Sequence, residues 1–300
     1  MPVPRARTWL APALAIAMGC NGPGASHAGP RTVVDDAGRT VAVEAPAMRV
    51  VSMLPAVTDM IVALGAADRL LLRTAYDTDP RIGHLPSLGH SLAASAETLV
   101  ALRPDLVIES TALDPIDGPP LERIGLAVYE ADVQSVADIG STLERLGVLL
   151  GLEERADSMR RAIADGLSRV RDAVAGRSRP TVLYLIWPTP PRIAGPGSFI
   201  DQIINVAGGR IAFEEADIEW PIVSLESIVL RDPDWVVLGD GGSDVRYRQI
   251  QEAPGWRDLS AVREGRVVRV ESNLFDRPGP RVIEAARLLA SVLHPDVHIR

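Results

Sequence analysis

The 300-residue chain contains no lysine, so all 31 of its basic side chains are arginines. Lysine Schiff-base chemistry and the lysine of a phosphate-binding P-loop are thereby excluded. It has a single cysteine, Cys20, which rules out an internal disulfide and any cysteine-rich zinc or iron–sulfur site. Aromatic residues make up only 4%, so each one outside a periodic core pattern carries information. Basic stripes are also missing: 39 acidic residues leave a formal charge of −8, and a nucleic-acid partner is not expected. Gly-x-Ser-x-Gly, His-Glu-x-x-His and a strand-to-helix Gly-x-Gly-x-x-Gly are all absent, and no catalytic constellation is legible.

What is present begins with an export signal. Arg5 and Arg7 precede the apolar run from Trp9 to Met18, which ends at Ala17-Met18-Gly19-Cys20. That run is too short to span a bilayer, and its ending is similar to a lipobox, with Cys20 as the lipidated first residue of the mature chain. Cleavage after Ser26-His27-Ala28 is the alternative. Both place the mature chain on the periplasmic or cell-surface side of a bacterial membrane.

The longest helical pattern runs from Glu153 to Gly176, with Ala156, Met159, Ile163, Leu167, Val170 and Val174 at spacings of three and four. It predicts an amphipathic beam of roughly 30 Å at about 1.5 Å per residue. On either side, apolar strand runs alternate with helical patterns, as expected of mostly parallel sheets flanked by helices. Strands are expected at 49–53, 70–73, 106–109 and 127–130, then at 181–187, 235–238 and 266–270. Helices are expected at 59–64, 96–102, 121–124 and 136–150, then at 199–206, 225–230 and 281–293. The organisation predicted is a signal and tether over 1–28, an α/β lobe over 29–150, the beam over 151–178 and a second α/β lobe over 179–300.

The lobes repeat each other. Ser95-Ala-Glu97-Thr-Leu-Val-Ala-Leu-Arg-Pro104-Asp105-Leu-Val-Ile108 aligns without a gap on Ser224-Leu-Glu226-Ser-Ile-Val-Leu-Arg-Asp-Pro233-Asp234-Trp-Val-Val237. Each copy has a serine N-cap, a first-turn glutamate, a Pro-Asp turn and a buried strand, which puts Glu97 and Glu226 at equivalent places. In open α/β sheets ligands sit beyond the carboxyl ends of the strands, so the facing loops should line a cleft. Those loops carry Tyr76, Trp187, Trp220 and Phe275, surfaces suited to a large flat or apolar ligand. His84 and His90 share a loop with Asp77 and Asp79, in a spacing that is not diagnostic of a metal site. The two aspartates read as turn and cap residues, and Gly195-Pro-Gly-Ser198 reads as a serine-capped turn or an anion cradle.

Arg49-Val-Val-Ser-Met-Leu-Pro-Ala-Val-Thr-Asp-Met-Ile-Val-Ala-Leu-Gly65, Arg103-Pro-Asp-Leu-Val-Ile108, Ala194-Gly-Pro-Gly-Ser-Phe-Ile-Asp201, Ala207-Gly-Gly209 and Arg277-Pro-Gly-Pro-Arg281 together resemble the helical-backbone periplasmic substrate-binding proteins of ABC importers. Trp220-Pro-Ile-Val-Ser224 and Ser272-Asn-Leu-Phe-Asp-Arg277 are most similar to its vitamin B12 (cobalamin)-binding members. The resemblance implies two Rossmann-like lobes on a stiff helix and a non-enzymatic monomer with no cofactor of its own. The ligand implied is a metal chelate: a corrinoid first, with ferric siderophore, haem or a metal ion as alternatives. The resemblance further implies delivery to a dimeric permease whose arginines meet Glu97 and Glu226, and corrin contacts at Trp187, Trp220 and Phe275. Asn273 falls at an acidic contact position, and Arg277 is a candidate for ligand carboxylates. Leu274 replaces an aromatic, and no Trp lies between Tyr76 and Glu97. A two-lobed enzyme of nitrogenase-like architecture would need cysteine ligands that this chain lacks.

Overall fold

A computed structural model describes residues 29–91, 94–110, 121–239 and 244–298. Cys20, most of the Ser110–Pro120 loop and 240–243 lie outside the described residues. The chain opens with a hairpin of β1 (Arg31–Val34) and β2 (Thr40–Val43), turning through Gly38 at positive φ. Next come β3 (Val50–Ser52), α1 (Pro55–Ala63), α2 (Ala96–Leu102), β4 (Leu106–Ser110), β5 (Val128–Ala131) and α3 (Val136–Leu150). Strands β3, β4 and β5 form a parallel sheet in that order. The N-terminal parts of its strands are buried, as a sheet covered on both faces requires.

The predicted beam is α4 (Glu153–Ala173), a single 21-residue helix. Beyond it lie β6 (Thr181–Pro188), β7 (Pro191–Ile193), α5 (Phe199–Val206), β8 (Arg210–Ile211) and α6 (Leu225–Arg231). The chain finishes with β9 (Trp235–Gly239), α7 (Asp244–Glu252), α8 (Ser260–Arg263), β10 (Val267–Val270), α9 (Ser272–Phe275) and α10 (Val282–Leu293). The second sheet runs β10-β9-β6 in parallel, with β8 parallel and β7 antiparallel along the other edge of β6.

Several local expectations are corrected. The strand expected over Leu70–Arg73 is reduced to two isolated bridges, Val50 to Leu70 and Arg73 to Ser87; only Leu70 reaches the sheet edge. Helix α1 starts at Pro55, not Asp59, because proline's fixed φ suits the first helical turn. The stretch 188–197, expected as a loop, holds the β6–β7 hairpin, whose prolines sit at strand ends where no ladder donor is needed. Helix α7 was not legible, because its charged residues leave only Ile250 buried.

The duplication is structural as well as literal. The order Leu70 edge, β3, β4, β5 in one sheet matches β8, β6, β9, β10 in the other. Ser95 caps α2 by accepting from the Thr98 N–H, and Ser224 caps α6 by accepting from the Ser227 N–H. Asp105 then accepts from the Arg49 N–H at 2.9 Å, and Asp234 accepts from the Thr181 N–H at 2.8 Å. Each carboxylate thus ties the start of its own strand to the neighbouring strand.

Helix α4 packs on α3 to one side and on α10 and α5 to the other. Ala156, Ile163, Leu167 and Val170 form its buried stripe, and one hydrophobic cluster continues through it from Val41 to Val297. Burying each of the larger residues stabilises the arrangement by about 1.5–3 kcal/mol. The helix–helix approaches are close: a Cβ built on Gly166 would lie 2.6 Å from Ile283 Cδ1, and one on Gly147 would lie 2.7 Å from Ala156 Cβ. The beam is therefore held by shape on both sides, which positions the strand ends of the two sheets relative to each other.

Candidate ligand cleft and docking helices

The carboxyl end of β6 carries an exposed aromatic ledge. Trp187 is 48% exposed and pairs across the hairpin with Arg192, which in turn bridges to Ile222. Residues paired directly across neighbouring strands point to the same face, so Trp187, Arg192 and Ile222 share one surface. Their sequence neighbours Ile193 and Pro221 are buried. Ile222 is 63% exposed, and Trp220, two residues earlier, is half-buried against the core. The Arg246 guanidinium lies 4.0 Å from the centre of the Trp187 ring, a cation–π contact. Arg192, Ile222 and Arg246 went unseen in the sequence; only the strand pairing and the fold of α7 bring them to Trp187.

The N-terminal lobe contributes the loop from Thr74 to Pro80. The Asp77 carboxylate accepts from the Thr74 N–H at 2.6 Å and the Thr74 hydroxyl at 2.9 Å. Asp79 caps the short helical turn Pro80–Ile82 and pairs with Arg81. Both act as the turn and cap residues expected. Between them and Ala75 the chain presents Tyr76, 42% exposed, whose ring meets His90 edge-on at 5.7 Å. His84 is exposed on the same loop. Among the described residues no three His, Cys, Asp or Glu side chains gather as a metal-holding group.

Arg277 joins the two lobes. Its guanidinium donates to the Tyr76 carbonyl and lies 3.5 Å from the Asp59 carboxylate on α1. Burial pushes the Asp59 carboxyl above its usual range; the Arg277 charge counters this, and Asp77 and Asp79 reinforce it. Next to it, Asp276 accepts from the Tyr184 hydroxyl at 2.6 Å and is also pushed up by burial.

Phe275 does not line the cleft. It is fully buried and stacks on Tyr184 with ring centres 6.2 Å apart. The segment expected as a loop winds into α9, and one turn of helix directs Leu274 and Phe275 into the core. Asn273, on the same turn, is half-buried. The Gly195–Ser198 turn is not an open anion cradle, since the Ser198 side chain caps Asp201 N–H and the Asp201 carboxylate accepts from Gly197 N–H. Two of the N–H donors at this turn, those of Gly197 and Asp201, are thus already met from within the chain.

Glu97 and Glu226 are both exposed in the first turns of α2 and α6. The Glu97 backbone N–H and the Ser95 hydroxyl hold the Glu97 carboxyl below its usual range. Behind each glutamate, one turn on, stands an exposed valine: Val100 on α2 and Val229 on α6. The repeated unit thus offers two matching patches, each a fixed negative charge beside an apolar side chain.

Comparison with known proteins places this architecture. An uncharacterized ABC transporter substrate-binding lipoprotein of Bacillus subtilis (strain 168), YvrC, is 27% identical, over 97% of this chain and 98% of the relative. A vitamin B12-binding protein of Photorhabdus laumondii is 26% identical, over 82% of this chain and 88% of its own length. The crystal structure of a periplasmic heme binding protein from Pseudomonas aeruginosa superposes with a TM-score of 0.74 at 26% identity, covering 84% of this chain and 94% of that one. The sequence model of the periplasmic binding proteins matches residues 50–274, a span that takes in both sheets and the whole of the helix between them, and this chain belongs to the periplasmic binding protein family.

Proposed function

We propose that this protein is the extracytoplasmic substrate-binding component of an ABC importer, that it captures a metal chelate between its lobes, and that the chelate is a corrinoid. The observation that carries the reading is the ledge of Trp187, Arg192 and Ile222 at the carboxyl end of β6. An aromatic ring left 48% exposed beside an exposed isoleucine, in a chain with so few aromatics, suits the flat apolar face of a macrocycle. Tyr76 supplies a polar group from the N-terminal lobe, and Arg277, Trp220 and Asn273 are further contact residues on the C-terminal lobe. Similarity to a vitamin B12-binding protein over most of both chains supports the corrinoid. The protein is a carrier without a catalytic step, exported by its N-terminal signal and anchored to the membrane through lipidated Cys20.

A second reading, haem, is favoured by one feature. The Tyr76 ring and the His90 ring meet on an exposed loop, offering a phenol and an imidazole where an iron macrocycle could be ligated. Absorbance titration with cyanocobalamin, haemin and ferrichrome separates the readings. Saturable binding of cyanocobalamin is expected; a Soret shift with haemin alone would replace the corrinoid by haem.

Delivery rests on Glu97 and Glu226, which present a near two-fold pair of charges to the arginines of a dimeric permease. Reversing both to Arg is expected to abolish uptake while leaving chelate affinity unchanged; loss of chelate binding would refute docking.

A further inference from the structure

The corner of the N-terminal lobe beneath Tyr76 gathers three aspartates, Asp59, Asp77 and Asp79, with Arg81 paired to Asp79 and Arg73 donating to the Thr74 carbonyl. Asp77 and Asp79 lie close enough to Asp59 to raise its proton affinity. Asp77 is 3% exposed and commits one oxygen to Thr74, while its Oδ1 has no hydrogen-bond partner. Among the described residues the ion-pair partner of Asp59 is Arg277, which comes from beyond α9 on the other lobe. The Arg277 side chain is only 14% exposed, so the contact is not a loose surface pair.

The second bond of Arg277 runs to a backbone carbonyl, that of Tyr76. A carbonyl on a loop pinned by the Asp77–Thr74 bonds is a fixed point of the N-terminal lobe. One guanidinium therefore holds both a helix and a loop of the opposite lobe, using the forked donor geometry that arginine has and lysine lacks. Separating the lobes would leave the half-buried Asp59 carboxylate without its counter-charge.

We propose that Arg277 is an interlobe clasp: carried on the C-terminal lobe, it grips Asp59 and the Tyr76 carbonyl of the N-terminal lobe and sets how widely the cleft opens. Helix α4 fixes the axis about which the lobes can rock, and the clasp limits the rocking. Because the clasp is made entirely by this chain, it stands whatever chelate the cleft takes and whether or not transport is the outcome.

The test is a distance measurement between the lobes. In a Cys20→Ser background, nitroxide labels at Val100→Cys and Val229→Cys, both on exposed helix positions, report lobe separation by pulsed electron resonance. Arg277→Gln should move the distribution to longer distance and broaden it. Asp59→Asn, the same shape without the charge, should move it in the same direction by less, since the Tyr76 bond remains. Arg277→Lys should fall between Arg277→Gln and the parent. Should Arg277→Gln fail to fold, Asp59→Asn carries the test. Distributions for Asp59→Asn and Arg277→Lys that superimpose on the parent would overturn the clasp, even if every chelate bound normally.

Discussion

Arg103 and Asp232 occupy the same left-handed backbone position at the ends of α2 and α6, with φ of 47° and 42°. They are the only residues other than glycine with positive φ among the described residues. The turn from helix into the Pro-Asp bend takes this conformation in both lobes. Asp232 also accepts from the Ser260 N–H at 2.8 Å and from the Ser260 hydroxyl, which holds its carboxyl below the usual range. Arg103→Gly should therefore raise stability by up to about 1 kcal/mol, by removing the left-handed penalty. Asp232→Gly should lower it by about 1 kcal/mol, because the lost hydrogen bonds outweigh that relief. Urea denaturation of the two variants reads the opposite signs.

At Gly166 the beam lies tight against Ile283 of α10. Gly166→Ala should cost about 1–3 kcal/mol through overpacking against Ile283, despite alanine's higher helix propensity. Combining it with Ile283→Val should recover part of the loss. A gain in melting temperature for Gly166→Ala alone would show that the helices part freely.

Trp187 and Phe275 separate binding from folding. Trp187→Ala should weaken chelate binding by about 1–3 kcal/mol with little change in the denaturation midpoint. Phe275→Ala should lower folding stability by about 3–5 kcal/mol, since the ring is fully buried on Tyr184. Parallel isothermal titration and chemical denaturation distinguish them; an equal loss of stability in both would place Trp187 in the core.

Asp59 makes a signed prediction about pH. Its carboxyl is raised above 3.8 by burial, with Asp77 and Asp79 adding to the effect and Arg277 opposing it. The native state then holds more protons at this site than the unfolded chain just above that pH, so its contribution to stability falls as pH rises through the raised value. Asp59→Asn lacks this slope. Relative to the parent, the variant should gain stability as pH rises from 3.8 through the raised value of Asp59 and then level off. Denaturant midpoints measured across that interval check it, and a relative loss would mean that attraction to Arg277 outweighs burial.

The beam, the repeat and the caps were legible because they are written in local chemistry. Stripe spacing at 153–173, serine caps at Ser95 and Ser224 and the Pro-Asp turns each act within a few residues, and all appear where expected. The two exposed glutamates followed from that repeat alone. Three features were decided only by tertiary structure. An isolated aromatic such as Phe275 has no pattern around it to say whether it faces solvent or core, and one turn of α9 sends it inward. The Pro-rich stretch after Trp187 reads as a loop until an edge strand is available to pair with, and that pairing assembles Trp187, Arg192 and Ile222. Arg277 and Asp59 lie far apart in the chain, and their contact exists only because α4 holds two separately formed lobes at one spacing. Short-range hydrogen bonding and periodicity thus determined the elements and their duplication, whereas burial and long-range charge pairing, which depend on what the completed lobes bring together, decided the site.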